Sequence, residues 1–194
     1  MFFFAAALCC LASPAGAQEV PLDVVRNSNQ AILDIYAGQE KIDQAAEDEI
    51  FRIIDSVTDF GIMADAVADR FCPKLSAEEC REFKDVFIEL LRTSSVKKLG
   101  RYRADSFDYV GERKDGEEAV VDTVAHFENE RLSLVYYLAL SEEQWRIVNY
   151  VVDDVDTIRN YRKQFKRLFA KRSYAEVVQR LRDRIASYGQ GAAQ

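Results

Sequence analysis

The chain has 194 residues and is 48% hydrophobic, enough for one domain to bury a substantial core. Its formal net charge of −7 argues against nucleic acid as a partner. The charge is unevenly placed. Arg159 to Arg184 hold ten Lys or Arg against two acids, Glu176 and Asp183, a local +8 that leaves −15 for the rest. Such segregation predicts a surface with two electrostatic faces, although any single cation within it reads first as solvated helix.

Residues 1–17, MFFFAAALCCLASPAGA, are an apolar run ending in Ala15-Gly16-Ala17, a small-x-small cleavage signal before Gln18. The run is too short to span a bilayer. It reads as a cleaved signal peptide, although no Lys or Arg precedes it. Export is the expectation.

From residue 21, PLDVVRNSNQAILDIYA starts on Pro and stops before Gly38, with Leu22, Val25, Ile32 and Tyr36 near helical period. A second helix is expected over about 45–57. A third is capped by Asp59 and carries Phe60, Met63, Val67 and Phe71 on its apolar face. Ser76-Ala77-Glu78-Glu79 is a capping box that opens a long fourth helix, Ala77 to about Leu99, with Phe83, Val86, Phe87, Leu90 and Leu91 inward. Cys72 ends the third helix before Pro73, and Cys80 lies in the first turn of the fourth. In an oxidising compartment this pair is expected to form a disulfide that pins the corner. The spacing is not CxxC, so its role reads as structural.

Beyond residue 104 the period changes. DSFDYVGER, the turn Lys114-Asp115-Gly116 and AVVDTVAHFE read as one hairpin; LSLVYYLAL, the turn Ser141 to Gln144 and WRIVNYVVD read as another. Two helices follow, about Thr157 to Ala170 and Tyr174 to Ser187. The fold class is α+β: a helical N-terminal half and two C-terminal helices packed on one face of a four-stranded antiparallel sheet. One domain is expected over 18–188, with a polar tail at 189–194. The inward side chains read as Val121, Thr123, Ala125 and Phe127 in the second strand, Val135, Tyr137 and Ala139 in the third, and Val148, Tyr150 and Val152 in the fourth. The helices offer Ile62, Met63, Val67, Phe87 and Leu91. Such lists describe a packed core as well as a lined cavity, and sequence does not separate the two.

Catalytic chemistry is missing. His126 is the single histidine, which leaves little for a metal cluster or a Ser-His-Asp triad. No GxSxG, P-loop or dinucleotide fingerprint appears. A binding protein without metal or cofactor is the expectation, rather than an enzyme.

The stretch WRIVNYVVDDVDTIRNYRKQF carries a more specific signal. A strand with Trp145, Ile147 and Val148, followed by Asn160-Tyr161-Arg162-Lys163-Gln164-Phe165, resembles the MlaC family of periplasmic phospholipid-binding proteins, also called toluene-tolerance proteins. Trp145, Val151, Val155, Asn160, Tyr161, Arg162, Gln164 and Phe165 match the family pattern. Asp59, Phe60 and Met63, and then Leu90 and Thr93, extend the likeness upstream. Departures are Asn149 for an Asp, Asp154 for a Gly, and Asp156-Thr157 for a Ser-Leu; Thr157 would bring a hydroxyl to the cavity.

The resemblance implies a carrier whose cargo's acyl chains lie in a cavity between sheet and helices. It implies passage of phospholipid between an outer-membrane lipoprotein complex and an inner-membrane ABC-transporter complex, with transient membrane contact. On that reading the lining is Met63, Val67, Phe87, Leu91, Val121, Thr123, Val135, Tyr137, Val148, Tyr150, Val152 and Tyr161. Arg162 and Lys166 are candidates for head-group or partner contact, and pairing of Arg162 with Asp153, Asp154 and Asp156 competes with that role. A hopanoid cargo, or an exported interaction domain with a solid interior, are the alternative readings.

Overall fold

In the computed structural model, residues 20–37, 39, 41–128 and 130–190 are described. The expected signal peptide and the end of the expected polar tail lie outside the described residues. α1 (Pro21–Tyr36) opens on proline, which suits a first helical position because its missing N–H would have had no partner there. It buries Val24, Val25, Ser28, Asn29, Ile32 and Tyr36 along one stripe. α2 (Gln44–Val57) and α3 (Phe60–Ala68) each start on an aspartate cap: Asp43 accepts from the Ala46 N–H and Asp59 from the Ile62 N–H, both at 2.8 Å. A 3-10 turn at Cys72–Lys74 leads to α4 (Ala77–Tyr102). Here the capping box forms in both directions. The Glu79 N–H donates to Ser76 Oγ at 3.1 Å, and the Ser76 N–H donates to Glu79 Oε2 at 2.8 Å. Cys72 and Cys80 are disulfide-bonded across this corner, their Cα atoms 5.1 Å apart.

The sheet is an antiparallel meander of β1 (Ser106–Asp115), β2 (Glu118–Phe127), β3 (Glu130–Ser141), β4 (Gln144–Val152) and β5 (Val155–Asp156). The fifth strand corrects the expectation of four. After Val152 the chain reverses through Asp153 and Asp154, with φ of 44° and 64°, and pairs Val155 with Val152. Aspartate enters this left-handed backbone more readily than most residues. Asp156 then caps α5 (Thr157–Phe169): its Oδ1 accepts from the Arg159 N–H at 2.7 Å, while Asn149 Nδ2 donates to its Oδ2 at 3.2 Å. The abrupt passage from strand to aromatic, basic helix is thus one tight turn followed by one cap. α6 (Tyr174–Gln190) runs into the stretch expected as a tail.

The core is double. α3, α4, α5 and α6 close around Phe83, Phe87 and Phe165; the Phe165 ring meets the other two edge to face, 5.1 Å from each, centroid to centroid. A second cluster joins Val24 and Val25 of α1 to Val121, Leu138, Trp145 and Ile147 on the sheet.

Candidate functional site

Where the two clusters meet, helices and sheet leave a cavity of about 150 Å³. α1 gives it one wall through Ser28, Asn29, Ile32, Leu33 and Tyr36. The end of α2 and start of α3 add Ile54, Val57, Thr58 and Phe60, and the last turns of α4 add Ser95, Lys98 and Leu99. The sheet supplies the floor: Phe107, Ala125, Leu132, Leu134, Tyr136, Ile147, Tyr150 and Val152. The lining is overwhelmingly apolar. At the Tyr36 end the cavity meets an open groove that shares Leu33, Tyr36, Ala104 and Phe107 with it. That groove is charged, carrying Arg26, Arg101 and Arg103 beside Asp34, Asp105, Glu128 and Glu130. An apolar interior therefore opens onto a mixed-charge rim.

Strand register decides which side chains face inward. Thr123 pairs with Leu134 and Val121 with Tyr136, so the inner face of β3 carries Leu132, Leu134, Tyr136 and Leu138. Val135, Tyr137 and Ala139 stand on the other face, and Tyr137 is 39% exposed. On β4 a bulge intervenes: Tyr136 pairs with Tyr150 but Leu138 with Ile147, which leaves Val148 as the extra residue. One inserted residue inverts the alternation, so Ile147 and Tyr150 share the inner face and Val148 falls outside the lining. The expected lining is corrected at Val135, Tyr137 and Val148 for these reasons.

Tyr150 and Val152 are the expected residues that line the cavity. Val121 is fully buried in the cluster beside it. Thr123 faces inward, but its Oγ1 donates to the Leu134 carbonyl at 3.0 Å. Met63, Val67, Phe87 and Leu91 are buried in the helical core instead, because α3, the first turns of α4, α5 and α6 bury their apolar faces mainly against each other. Tyr161 joins them, its ring edge to face with Phe87 at 4.9 Å. Arg162 donates from Nε to the Ala66 carbonyl at 2.8 Å rather than pairing with the acids of the β4–β5 turn. Lys166 is exposed on α5. Nearby, Gln164, Arg167, Lys171, Arg172 and Arg180 line an open basic cleft between α5 and α6.

Sequence reading missed the α1 wall. Ile32 and Tyr36 were visible as an apolar stripe, but nothing in periodicity says that α1 lines the cavity along its length while α3 reaches it only through Phe60. The few polar groups in the cavity are specific. Tyr136 OH donates to Asn29 Oδ1 at 3.4 Å, and Tyr150 OH lies 3.1 Å from Ser95 Oγ. Tyr150 is also hydrogen-bonded to Thr157, so the hydroxyl at that departure from the family pattern is turned onto Tyr150. Burial pushes the Tyr36 phenol up to about 12, against the nearby Arg103, and raises those of Tyr136 and Tyr150 as well. All three remain protonated at neutral pH. Among the described residues, two buried polar atoms have no protein partner, Asn29 Nδ2 and Tyr36 OH, and both residues line this cavity.

Helices held against one face of an antiparallel sheet around an apolar internal cavity define a domain built to enclose an apolar ligand. The MlaC protein family model matches residues 26–183, and the chain belongs to that family. No curated protein matches the chain. Among solved structures it is similar to a phospholipid-binding protein from Ralstonia solanacearum, determined in complex with a phospholipid, with a TM-score of 0.68 and 20% identity. The likeness covers 87% of this chain and 98% of that one, and it is a likeness of fold.

Proposed function

We propose that this protein is a periplasmic carrier that binds a phospholipid by its acyl chains and moves it between outer-membrane and inner-membrane complexes, the latter an ABC transporter. The observation that carries the reading is the apolar cavity between α1 and the sheet, open at one end to a charged groove. Each buried methylene gains about 0.8 kcal/mol, so an apolar slot binds lipid without gripping the head group. A head group left in the groove keeps release possible. Membership of the family and the phospholipid-bound neighbour support the same cargo. No catalytic step is assigned.

The cavity volume of about 150 Å³ is smaller than the roughly 300–1,000 Å³ of ordinary ligand sites. Loading therefore widens the space between helices and sheet, and α1 supplies one wall of it. The Tyr136–Asn29 hydrogen bond, long at 3.4 Å, is one polar tie across that seam, and Arg26 over the Tyr109 ring at 5.1 Å is another. Exposed Lys166 and the basic cleft beside it face outward, where acidic transporter subunits or anionic membrane are the fitting partners.

Native mass spectrometry of protein purified from the periplasm without detergent, with lipid analysis of an organic extract, tests the reading. Added mass released as phospholipid is expected. A hopanoid would keep the carrier and change its cargo. An apo mass that persists after incubation with liposomes would leave an interaction domain.

A further inference from the structure

Tyr36 stands at the boundary between two environments. It lines the apolar cavity on one side and the charged groove on the other. The residue is 93% buried by its 7% exposure, yet its hydroxyl has no protein partner among the described residues. A buried hydroxyl without a partner is costly, and such groups in a binding site are completed by ligand or water. The ring is held firmly. Arg103 lies over it at 5.2 Å and donates from Nη2 to the Tyr36 carbonyl at 3.1 Å, so the end of α1 and the end of α4 fix it together. Because the phenol's pKa is raised to about 12, the hydroxyl is present as a donor at any physiological pH.

On the phospholipid-binding reading, acyl chains fill the cavity and the phosphate lies in the groove, so the glycerol esters lie between them. An ester carbonyl accepts hydrogen bonds and offers none, which suits an unpartnered donor at that depth. We infer that the Tyr36 hydroxyl donates to an acyl ester carbonyl of the cargo and makes the protein selective for ester-linked over ether-linked lipids. The same hydrogen bond fixes how deep the lipid sits, because the acyl chain continues inward from the carbonyl. Asn29, the other buried unpartnered donor among the described residues, lies seven residues earlier on the same helix, about 10 Å along its axis, too far to share this carbonyl.

The test compares a short-chain diester phosphatidylcholine with its diether analogue of equal chain length, each titrated into the full chain and read by native mass spectrometry. The wild type is expected to bind the diester about three- to tenfold more tightly, the range of one neutral hydrogen bond. Tyr36→Phe is expected to abolish that preference, so that diester and diether bind the variant alike. Removing an unpaired hydroxyl spares the fold, and retention of a cooperative thermal transition checks it. If the variant did not fold, the wild-type preference would decide alone. A wild type that binds both lipids equally, or a Tyr36→Phe protein that keeps the preference, overturns the assignment. Binding of neither lipid overturns the phospholipid reading and this assignment together.

Discussion

Arg162 Nε donates to the carbonyl oxygen of Ala66 at 2.8 Å, tying the middle of α5 to the last turn of α3. The carbonyls of a helix's last turn lack intrahelical partners and carry the negative end of its dipole, so a guanidinium is well matched there. Arg162 is thus a clamp between two helices of the core, at some distance in the fold from the cavity's α1 wall. Arg162→Met should lower unfolding free energy by about 1.5–3 kcal/mol, as for loss of a charged hydrogen bond, and leave lipid affinity unchanged. Denaturant titration beside a lipid titration checks this. Lost lipid affinity at unchanged stability would instead place Arg162 at a head group.

The Tyr174 hydroxyl donates to Glu82 Oε2 at 2.6 Å, and Arg182 donates to Glu82 Oε1 at 2.7 Å, joining α6 to α4. These bonds, that from Tyr174 first, hold the Glu82 carboxyl below its usual 4.5. A carboxyl whose folded pKa is depressed stabilises the fold above its unfolded value, and that contribution is lost as pH falls through the folded value. Stability should therefore decline as pH drops below about 4.5, and Glu82→Gln should flatten that part of the profile. Thermal melts at closely spaced pH values, with wild type and variant in parallel, read the difference. Curves that stay parallel would remove Glu82 from the account.

How much of this was legible in the sequence depends on where one residue of register matters. Helix starts were readable where the cap is a local chemical fact: Asp59 with the N–H three residues on, Ser76 with Glu79. The β3 segment was different. LSLVYYLAL is apolar on both faces, so nothing local says whether Tyr136 or Tyr137 points inward; pairing with Val121 decides it. The bulge at Val148 then inverts the pattern of β4, with no Gly or Pro to announce it. Nor could sequence distribute the apolar helix faces between two clusters, because Val25 and Ile32 lie on the same helix with the same apolar character and bury in different ones.

Glu142 and Glu143 form the two-residue β3–β4 turn with φ of 51° and 64°. Two positive values identify a mirror-image turn, which favours Asn-Gly and strains residues with a long side chain. Replacing the pair by Asn-Gly should raise stability by about 0.5–1 kcal/mol. The expected signature is a higher denaturant midpoint at unchanged slope, since the folded surface is the same. An unchanged or lower midpoint would mean that the glutamates make contacts outweighing the strain.

Ala125 and Ala64 offer a matched pair for telling the cavity from the core. Both are buried, at 3% and 0% exposure, but Ala125 lines the cavity floor while Ala64 lies inside the helical core. A larger side chain at Ala64 has no space to enter, so Ala64→Leu should cost about 1–3 kcal/mol through displaced neighbours. Ala125→Leu extends into existing space and gains apolar burial, so its stability should be unchanged or slightly raised. The ligand readout reverses the order. Ala125→Leu takes volume from a cavity of only about 150 Å³ and should reduce lipid occupancy severalfold, whereas Ala64→Leu should leave it intact wherever the protein is folded. Melting curves and native mass spectra of both variants are needed together. A strongly destabilised Ala125→Leu protein would mean that the floor is packed rather than open, and full lipid occupancy in a stable one would move the binding site elsewhere on the molecule.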